Sequence, residues 1–342
     1  MKIGVTGAAG GIGSILADHL FELGYELVLI DDLSTGSLLN LRNEQNRKNL
    51  IVNDLSEFSV VLKSLENCNL IFHLAAISSL AQCQLDPAKA ISVNVGSTAV
   101  ICEIARITGA QVIFASTSAV YERNTTLPYS ESDSVGPVLV YPFSKLTAEQ
   151  HLRNSFESCG VSSTIFRFFN VFGPRQDFRR PGPPLVNFVV REICMGREVI
   201  IYAPMHQARD YVYVNDVVEL LTSVVTQNKV EGCVTLNVAS GRLITVQEIL
   251  QAVEGGLGCE IHVRQSTPSL LWERHKALFE GCFPLNSQIV VDEALKQSLG
   301  SIATCKQLLG WEATSDVLVK IVEDAPAMAA EVIAAAKRGE IS

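Results

Sequence analysis

Lys2-Ile3-Gly4-Val5-Thr6-Gly7-Ala8-Ala9-Gly10-Gly11-Ile12-Gly13 opens the chain and decides its fold. Residues 2–6 form a short apolar run of strand type, a glycine-rich loop follows, and a helical pattern starts near residue 11. Gly7, Gly10 and Gly13 give a G-x-x-G-x-x-G spacing. The first glycine permits a tight turn, the second lets backbone N–H groups approach a pyrophosphate, and the third lets helix and strand pack closely. The helix N-terminus adds partial positive charge. A glycine cluster alone is a weak signal, but strand, loop and helix in succession make it a strong one.

The same rhythm continues through the first half. Candidate strands at 2–6, 26–30, 49–52, 69–73, 111–115 and 162–168 alternate with candidate helices at 11–23, 57–66, 87–108 and 141–159. Alternation of this kind predicts an α/β fold, a doubly wound parallel sheet of Rossmann type covered on both faces. Beyond residue 170 the pattern loosens, and Pro174, Pro181, Pro183 and Pro184 mark a loop region. Helices are expected near 183–196, 215–226, 245–254, 302–309 and 316–337, with short strands between them. The expected organisation is a dinucleotide-binding domain over 1–172, with 211–240 contributing, and a smaller mixed α/β lobe over 173–342. That lobe should pack on the carboxyl edge of the sheet, where ligands of such folds bind.

The chain has 342 residues, 48% hydrophobic and 18% charged, enough for a sizeable core and too apolar for disorder. A formal net charge of -9 argues against nucleic acid as a partner. The nine cysteines are odd in number and form no C-x-x-C, which fits reduced thiols better than a disulfide framework or a zinc site. No bound metal is expected. No basic segment precedes an apolar stretch at the start, and no run reads as long enough to span a bilayer. A soluble cytoplasmic protein without a membrane partner is the expectation.

Two further stretches carry chemistry. The second strand ends in Leu29-Ile30-Asp31-Asp32-Leu33, where the Asp31 carboxylate can bind adenosine ribose hydroxyls and repel a 2′-phosphate. That favours NAD over NADP, although Asp31 also suits a solvated turn. Asp54 can accept from an adenine amino group, and Asn53-Asp54 is equally plain turn chemistry. Tyr141-Pro142-Phe143-Ser144-Lys145 places a phenol and an ammonium one helical turn apart. A free tyrosine titrates near ~10, and a neighbouring ammonium favours the phenolate, so the pair can take a proton from an alcohol. Taken alone, the spacing is common in helices.

Taken together, the segments resemble the extended short-chain dehydrogenase/reductase family, within it the NAD-dependent nucleotide-sugar epimerases and dehydratases, and most closely the UDP-sugar 4-epimerases. The resemblance covers nearly the whole chain. Its markers are the glycine loop 7–13, Asp31-Asp32-Leu33-Ser34-Thr35-Gly36, His73-Leu74-Ala75-Ala76, Asn94-Val95-Gly96-Ser97-Thr98 and Ser116-Thr117. Tyr141-x-x-x-Lys145, Asn170-Val171-Phe172-Gly173-Pro174-Arg175-Gln176 and Arg209-Asp210-Tyr211 complete the set.

The resemblance implies a catalytic set of Thr117, Tyr141 and Lys145, with Ser116 as the nearby alternative to Thr117. Thr117 would hydrogen-bond the reacting hydroxyl. Lys145 would lower the pKa of Tyr141 and hold the nicotinamide ribose. NAD would lie against Gly7, Gly10, Gly11, Ile12 and Gly13, against Asp31, Asp32, Ser34, Thr35 and Gly36, and against Asp54 and Leu55. Leu74, Ala75, Ala76, Asn94, Ser116 and Phe168 would complete its site, Asn94 by stabilising the active-site backbone. His73 is implied to be a structural strand-end residue. Implied sugar-nucleotide contacts are Ser118, Asn170, Leu185, Val186, Tyr202, Arg209, Arg274 and Ser298. Tyr202 would pack on the nucleobase, Arg209 would pair with the diphosphate, and a small Ser298 would admit a bulky group at sugar C2. A homodimer through helices 87–108 and 141–159 is also implied. Ala88, Ala90 and Ala148 would allow close packing there, or equally be core positions.

In this family a 4-keto sugar forms first. Dehydratases then need an acid pair directly after the catalytic threonine, and decarboxylases a glutamate two positions after it. Here Ser118 and Ala119 occupy those places, which points to 4-epimerisation of a nucleotide sugar, a UDP-sugar being favoured. Net oxidoreduction, atypical dehydration or decarboxylation, and a non-enzymatic NAD sensor or scaffold stay as alternatives. Many relatives clamp the nucleotide with Arg-x-Gly-Asp, where this chain has Val291-Asp292-Glu293-Ala294, and Arg274 is the expected substitute.

Overall fold

The computed structural model describes residues 1–226 and 231–341; the expected ranges 211–240 and 173–342 include positions outside these. The strands in chain order are β1 (Lys2–Thr6), β2 (Glu26–Asp31), β3 (Ile51–Val52), β4 (Leu70–His73), β5 (Gln111–Thr117) and β6 (Ser163–Phe168). They continue as β7 (Asn170–Phe172), β8 (Val199–Ile201), β9 (Ala208–Tyr213), β10 (Cys233–Val238), β11 (Leu243–Thr245) and β12 (Val263–Gln265).

Seven strands form one parallel sheet in the order β10-β6-β5-β4-β1-β2-β3. The chain winds outward from β1 to β3, then returns to β4 on the other side of β1. That reversal opens a crevice at the carboxyl ends of β1 and β4, the place where such sheets take ligands. The central strands are apolar throughout, because helices cover both faces. One face packs Ile3, Val5, Leu29 and Phe72 against Leu16 and Leu20 of the helix Gly11–Glu22 and Leu220 of the helix Val214–Thr226. The other packs Ile71, Val112 and Ile165 against Ile101 and Ile104 of the helix Ser97–Thr108 and Ala148 and Leu152 of the helix Val140–Cys159. Each such buried aliphatic side chain contributes ~1.5–3 kcal/mol.

The run Pro87–Thr108 has the length and mean hydropathy, 1.4, of a membrane-crossing helix, contrary to the expectation that no run is long enough. Its apolar side faces the sheet, and it widens into a π turn over Ser92–Gly96. Ala90 and Ala148 are fully buried inside the subunit, so they are core positions, while Ala88 is exposed.

A second core gathers the helices Leu185–Cys194, Val246–Leu257 and Val317–Lys337 around β7, β8 and β9. The small sheets β11-β9-β7 and β12-β8 belong to this part. Three helices had no counterpart in the sequence reading: Glu44–Asn49, Leu80–Leu85 and Ser287–Leu295. The first two are six residues long, too short to show a period.

Candidate active site

A cavity of about 1330 Å³ runs from the glycine loop past the ends of β4 and β5 to Tyr202 and Arg209 in the second part. Gly7 has φ +70, and a Cβ there would lie 2.7 Å from the Ala75 nitrogen. A Cβ at Gly13 would stand 2.1 Å from the Gly7 carbonyl oxygen, so helix and loop approach closer than any side chain allows. Gly10 and Gly11 expose backbone to the cavity, and the Ser14 N–H donates to the Gly10 carbonyl at 3.0 Å as the helix begins. Ile12 and Gly13 line the same end.

At the end of β2 the Asp31 carboxylate accepts from the backbone N–H of Ala9 at 2.9 Å and of Leu33 at 2.8 Å. Burial pushes this carboxyl up from its ordinary range, and those two bonds oppose the shift. Asp32 accepts from the Ser34 N–H and hydroxyl, and Ser34, Thr35, Asp54 and Leu55 border the cavity. Asp54 also accepts from the Ser56 N–H at 2.8 Å, the turn chemistry noted in the sequence. Gly36 does not line the cavity: it lies behind Asp31, where a Cβ would meet Oδ1 at 2.8 Å. Leu74, Ala75, Ala76 and Phe168 form the wall beyond. Open loop backbone at a helix N-terminus, with two carboxylates at the next strand end, fits NAD and disfavours an additional phosphate.

The helix Val140–Cys159 begins after Leu139, and Pro142 falls in its first turn, where a missing N–H is harmless. Tyr141 and Lys145 therefore share one face, and both reach the cavity. Thr117 ends β5; its hydroxyl accepts from the Ala119 N–H at 3.2 Å and hydrogen-bonds Tyr141. Burial pushes the Tyr141 phenol up to about 12, while the Thr117 bond and the Arg180 charge pull it back. The Lys145 ammonium lies over the Phe114 ring, 4.5 Å from its centre, and burial pushes it down to about 7. Arg180 therefore joins Thr117 as a group that favours the phenolate, one the sequence did not point to.

Ser116 cannot stand in for Thr117. Its hydroxyl, although the residue lines the cavity, is committed to Glu149 Oε1 at 2.5 Å. Glu149, one turn beyond Lys145, is fully buried and takes a two-pronged bond from Arg167 at 3.0 and 2.7 Å. Arg167 also donates to the Tyr121 hydroxyl at 2.7 Å, which donates to Asn237 at 2.9 Å. Burial alone would raise the Glu149 carboxyl, but Arg167 holds it below the usual range. This bracing of β5, β6 and the helix Val140–Cys159 was not read from the sequence, where a glutamate four residues after Lys145 looks like a surface acid.

Asn94 does not line the cavity. Its amide accepts from the Ile77 N–H at 2.8 Å, donates to the Ile77 carbonyl at 3.0 Å, and donates to Ser144 Oγ at 2.9 Å. Ser144 in turn donates to the Tyr141 carbonyl at 2.7 Å, so Asn94 ties the loop after β4 to the tyrosine helix. His73 is fully buried among the hydroxyls of Thr6, Thr98 and Ser97, and burial pushes it down to about 3.

The far end is assembled differently. Ser118, Asn170, Leu185, Val186, Tyr202 and Ser298 all border the cavity. The Asn170 amide donates to the Asp210 carbonyl at 2.7 Å, and Ser298 carries the carbonyl that accepts the Asp210 N–H. Arg209 is already engaged: it pairs with Glu293 Oε1 at 3.2 Å and donates to the carbonyls of Lys296 and Glu293. Arg274 is exposed and donates to the Pro181 carbonyl at 3.3 Å. Arg180, absent from the sequence reading, lines the cavity beside Tyr141. Its only sequence signal was its place in the proline-rich loop after Gly173-Pro174.

Fold and site together define a dinucleotide-binding α/β protein with a threonine, a tyrosine and a lysine gathered at the sheet's switch point. The chain belongs to the NAD dependent epimerase/dehydratase family, whose sequence profile matches residues 3–239. It is an NAD-dependent enzyme of that family. It is similar to UDP-glucose 4-epimerase of Mycolicibacterium smegmatis, 31% identical over 75% of this chain and 83% of that protein. It is also similar to UDP-glucuronic acid decarboxylase 1 of Xenopus tropicalis, 30% identical over 66% of this chain and 54% of that one. Among solved structures, UDP-N-acetylglucosamine 4-epimerase from Methanobrevibacter ruminantium M1, in complex with UDP-N-acetylmuramic acid, aligns with a TM-score of 0.82. The two are 27% identical, and the alignment covers 96% of this chain and 98% of that one.

Proposed function

We propose that the enzyme epimerises a nucleotide sugar, a UDP-sugar, at C4 through a transient 4-keto intermediate. The observation that carries this is the Thr117–Tyr141 hydrogen bond on the cavity wall, followed along the chain by Ser118 and Ala119. Neither of these can act as the acid that dehydration or decarboxylation would use. The first acid after them, Glu122, accepts the backbone N–H groups of Val138 and Leu139 and does not line the cavity.

When bound, NAD supplies an acceptor, and then a donor, for the hydride at the sugar carbon. The chain's own residues handle the proton. Tyr141 Oη takes it from the C4 hydroxyl and returns it after the ketone presents its other face. Thr117 Oγ1 shares that hydrogen bond and holds the reacting oxygen in place. With its phenol near 12, Tyr141 stays protonated in the empty site, so ligand binding must bring the further stabilisation that releases the proton. Lys145, Gly7, Gly10, Gly11, Asp31 and Ala75 are the residues we assign to holding NAD, and Asn170, Tyr202, Arg209 and Ser298 to the sugar nucleotide.

The decarboxylase relative favours a second reading, loss of CO₂ from a 4-keto uronic acid. Purified enzyme given UDP-glucose, UDP-N-acetylglucosamine and the UDP-uronic acids separates the two. The expected result is interconversion of a C4 pair without added NADH; failure across the panel overturns the proposal. A cytoplasmic location, in keeping with the free cysteines, belongs to the same proposal. So does a homodimer through the exposed faces of the helices that carry Ile107 and Phe143, each 51% exposed.

A further inference from the structure

Arg180 has an unusual position. It lines the cavity close enough to Tyr141 for each charge to act on the other. Nη1 donates to Ser78 Oγ at 2.9 Å and Nε donates to the Gly182 carbonyl at 3.0 Å. Both partners are neutral, and among the described residues Arg180 forms no ion pair. The nearest acid, Asp177, has its Oδ1 engaged by the backbone N–H groups of Arg179 and Arg180. Burial lowers the guanidinium's pKa, with Asp177 and Tyr141 opposing the shift. A half-buried guanidinium that lines a cavity with only neutral hydrogen-bond partners keeps its charge available to an incoming anion.

The anion's identity follows from position. Arg209, unlike Arg180, does have an ion pair: it is held by Glu293 and by the Lys296 carbonyl in the second part. A diphosphate belongs at that end. Arg180 stands where the sugar must present its C4 hydroxyl to Tyr141, so the group it meets is a substituent of the ring next to C4. A hexose offers only hydroxyls there, for which hydrogen-bonding neutral groups would serve. A hexuronic acid offers a planar carboxylate on C5, the shape a guanidinium fork matches in two bonds.

We propose that Arg180 is a carboxylate-reading residue and that the substrate is a nucleotide-linked hexuronic acid. This rests on the 4-epimerase reading for the position of the ring. The test uses NAD-loaded full-length enzyme with UDP-glucuronate and UDP-glucose, and the variants Arg180→Gln and Arg180→Lys. Turnover and calorimetric binding are measured for each. Wild type should prefer the uronate, and R180Q should lose about 100-fold more kcat/KM for UDP-glucuronate than for UDP-glucose. R180K, which keeps the charge without the fork, should fall between.

Equal losses on both substrates would make Arg180 a diphosphate or structural residue and overturn the inference. So would a wild type that turns over, or binds, the neutral sugar as well as the uronate. If the uronate is bound selectively through Arg180 but leaves as a pentose with CO₂, the carboxylate subsite stands and the epimerase reading falls. If only neutral sugars are epimerised, the epimerase reading stands and this one falls.

Discussion

The two ends of the cavity are built on opposite principles. At the glycine-loop end the ligand surface is backbone, and each position is fixed by what cannot be there: a Cβ at Gly13 would sit 2.1 Å from the Gly7 oxygen, one at Gly7 2.7 Å from the Ala75 nitrogen. At the far end the surface is long side chains on loops, held by other side chains, as Arg209 is by Glu293 and Arg180 by Ser78. At Gly7 and Gly13 that surface leaves no room for a side chain. A side-chain surface can be retuned one residue at a time, which suits an end that selects among sugars. Thr117, Tyr141 and Lys145 lie between the two.

The largest effect should come at that junction. Tyr141→Phe removes the only atom we assign to moving the proton and leaves the glycine loop untouched. Turnover should fall ~10³–10⁴-fold, the scale of a lost general base, while NAD measured in the purified protein stays at the wild-type level. Loss of NAD together with activity would mean that the two ends are not separable. Survival of activity would remove Tyr141 from the chemistry.

Acid should attack the cofactor end first, through His73. Its pKa is about 3 in the folded chain against 6.5 for a free imidazole, because burial excludes the cation. A group whose folded pKa is depressed contributes stability that is present above the unfolded value and is lost as pH falls through the folded one. Stability should therefore decline from pH 6.5 toward 3, by an amount on the order of 5 kcal/mol for this group alone. Urea midpoints from pH 8 to 4 should show that slope in wild type and a shallower one in His73→Gln. Parallel slopes would place the acid-sensitive group elsewhere.

Gly13→Ala probes the same end by volume. The added methyl must push the helix off the loop, which should lower stability by ~1–3 kcal/mol and release NAD, read by thermal unfolding with and without added NAD. Gly160→Ala is a control for glycine loss as such: it ends the helix Val140–Cys159 at φ +76, with nothing within 4 Å of an added Cβ. An equal loss of NAD from both variants would count against the close-approach account.

The contrast also explains what could be read in advance. The parallel sheet was legible because strand-helix alternation and buried apolar strands are local patterns, and the glycine loop because its spacing mirrors a steric need. Thr117, Tyr141 and Asp31 could be placed near the cavity in advance because they sit at fixed points on strands and helices. Arg180 was not, because its place depends on how the loop after Gly173 folds over Ser78, a contact 102 residues apart in sequence. Glu149 was hidden for a related reason: only the tertiary meeting of β5, β6 and the helix Val140–Cys159 buries it. The spacing of Lys145 from Tyr141 along the helix was legible, while the seat of its ammonium over Phe114 is a choice made by packing.

The smallest effect should be at Glu293, and it tests whether the far end is tuned by side chains. The Glu293 carboxylate is the group that Arg209 pairs with at 3.2 Å. If Arg209 binds the diphosphate as proposed, that diphosphate competes with the carboxylate for the same guanidinium. The pair is partly exposed, so the competition is worth only ~1 kcal/mol after solvent screening. Glu293→Gln removes the negative charge, while the carbonyls of Lys296 and Glu293 still hold Arg209 in place. The KM for a UDP-sugar should drop about fivefold, and UDP binding measured by calorimetry should tighten to match. A rise in KM would show instead that Glu293 orients Arg209 toward the diphosphate, which would make this end as rigidly specified as the glycine loop.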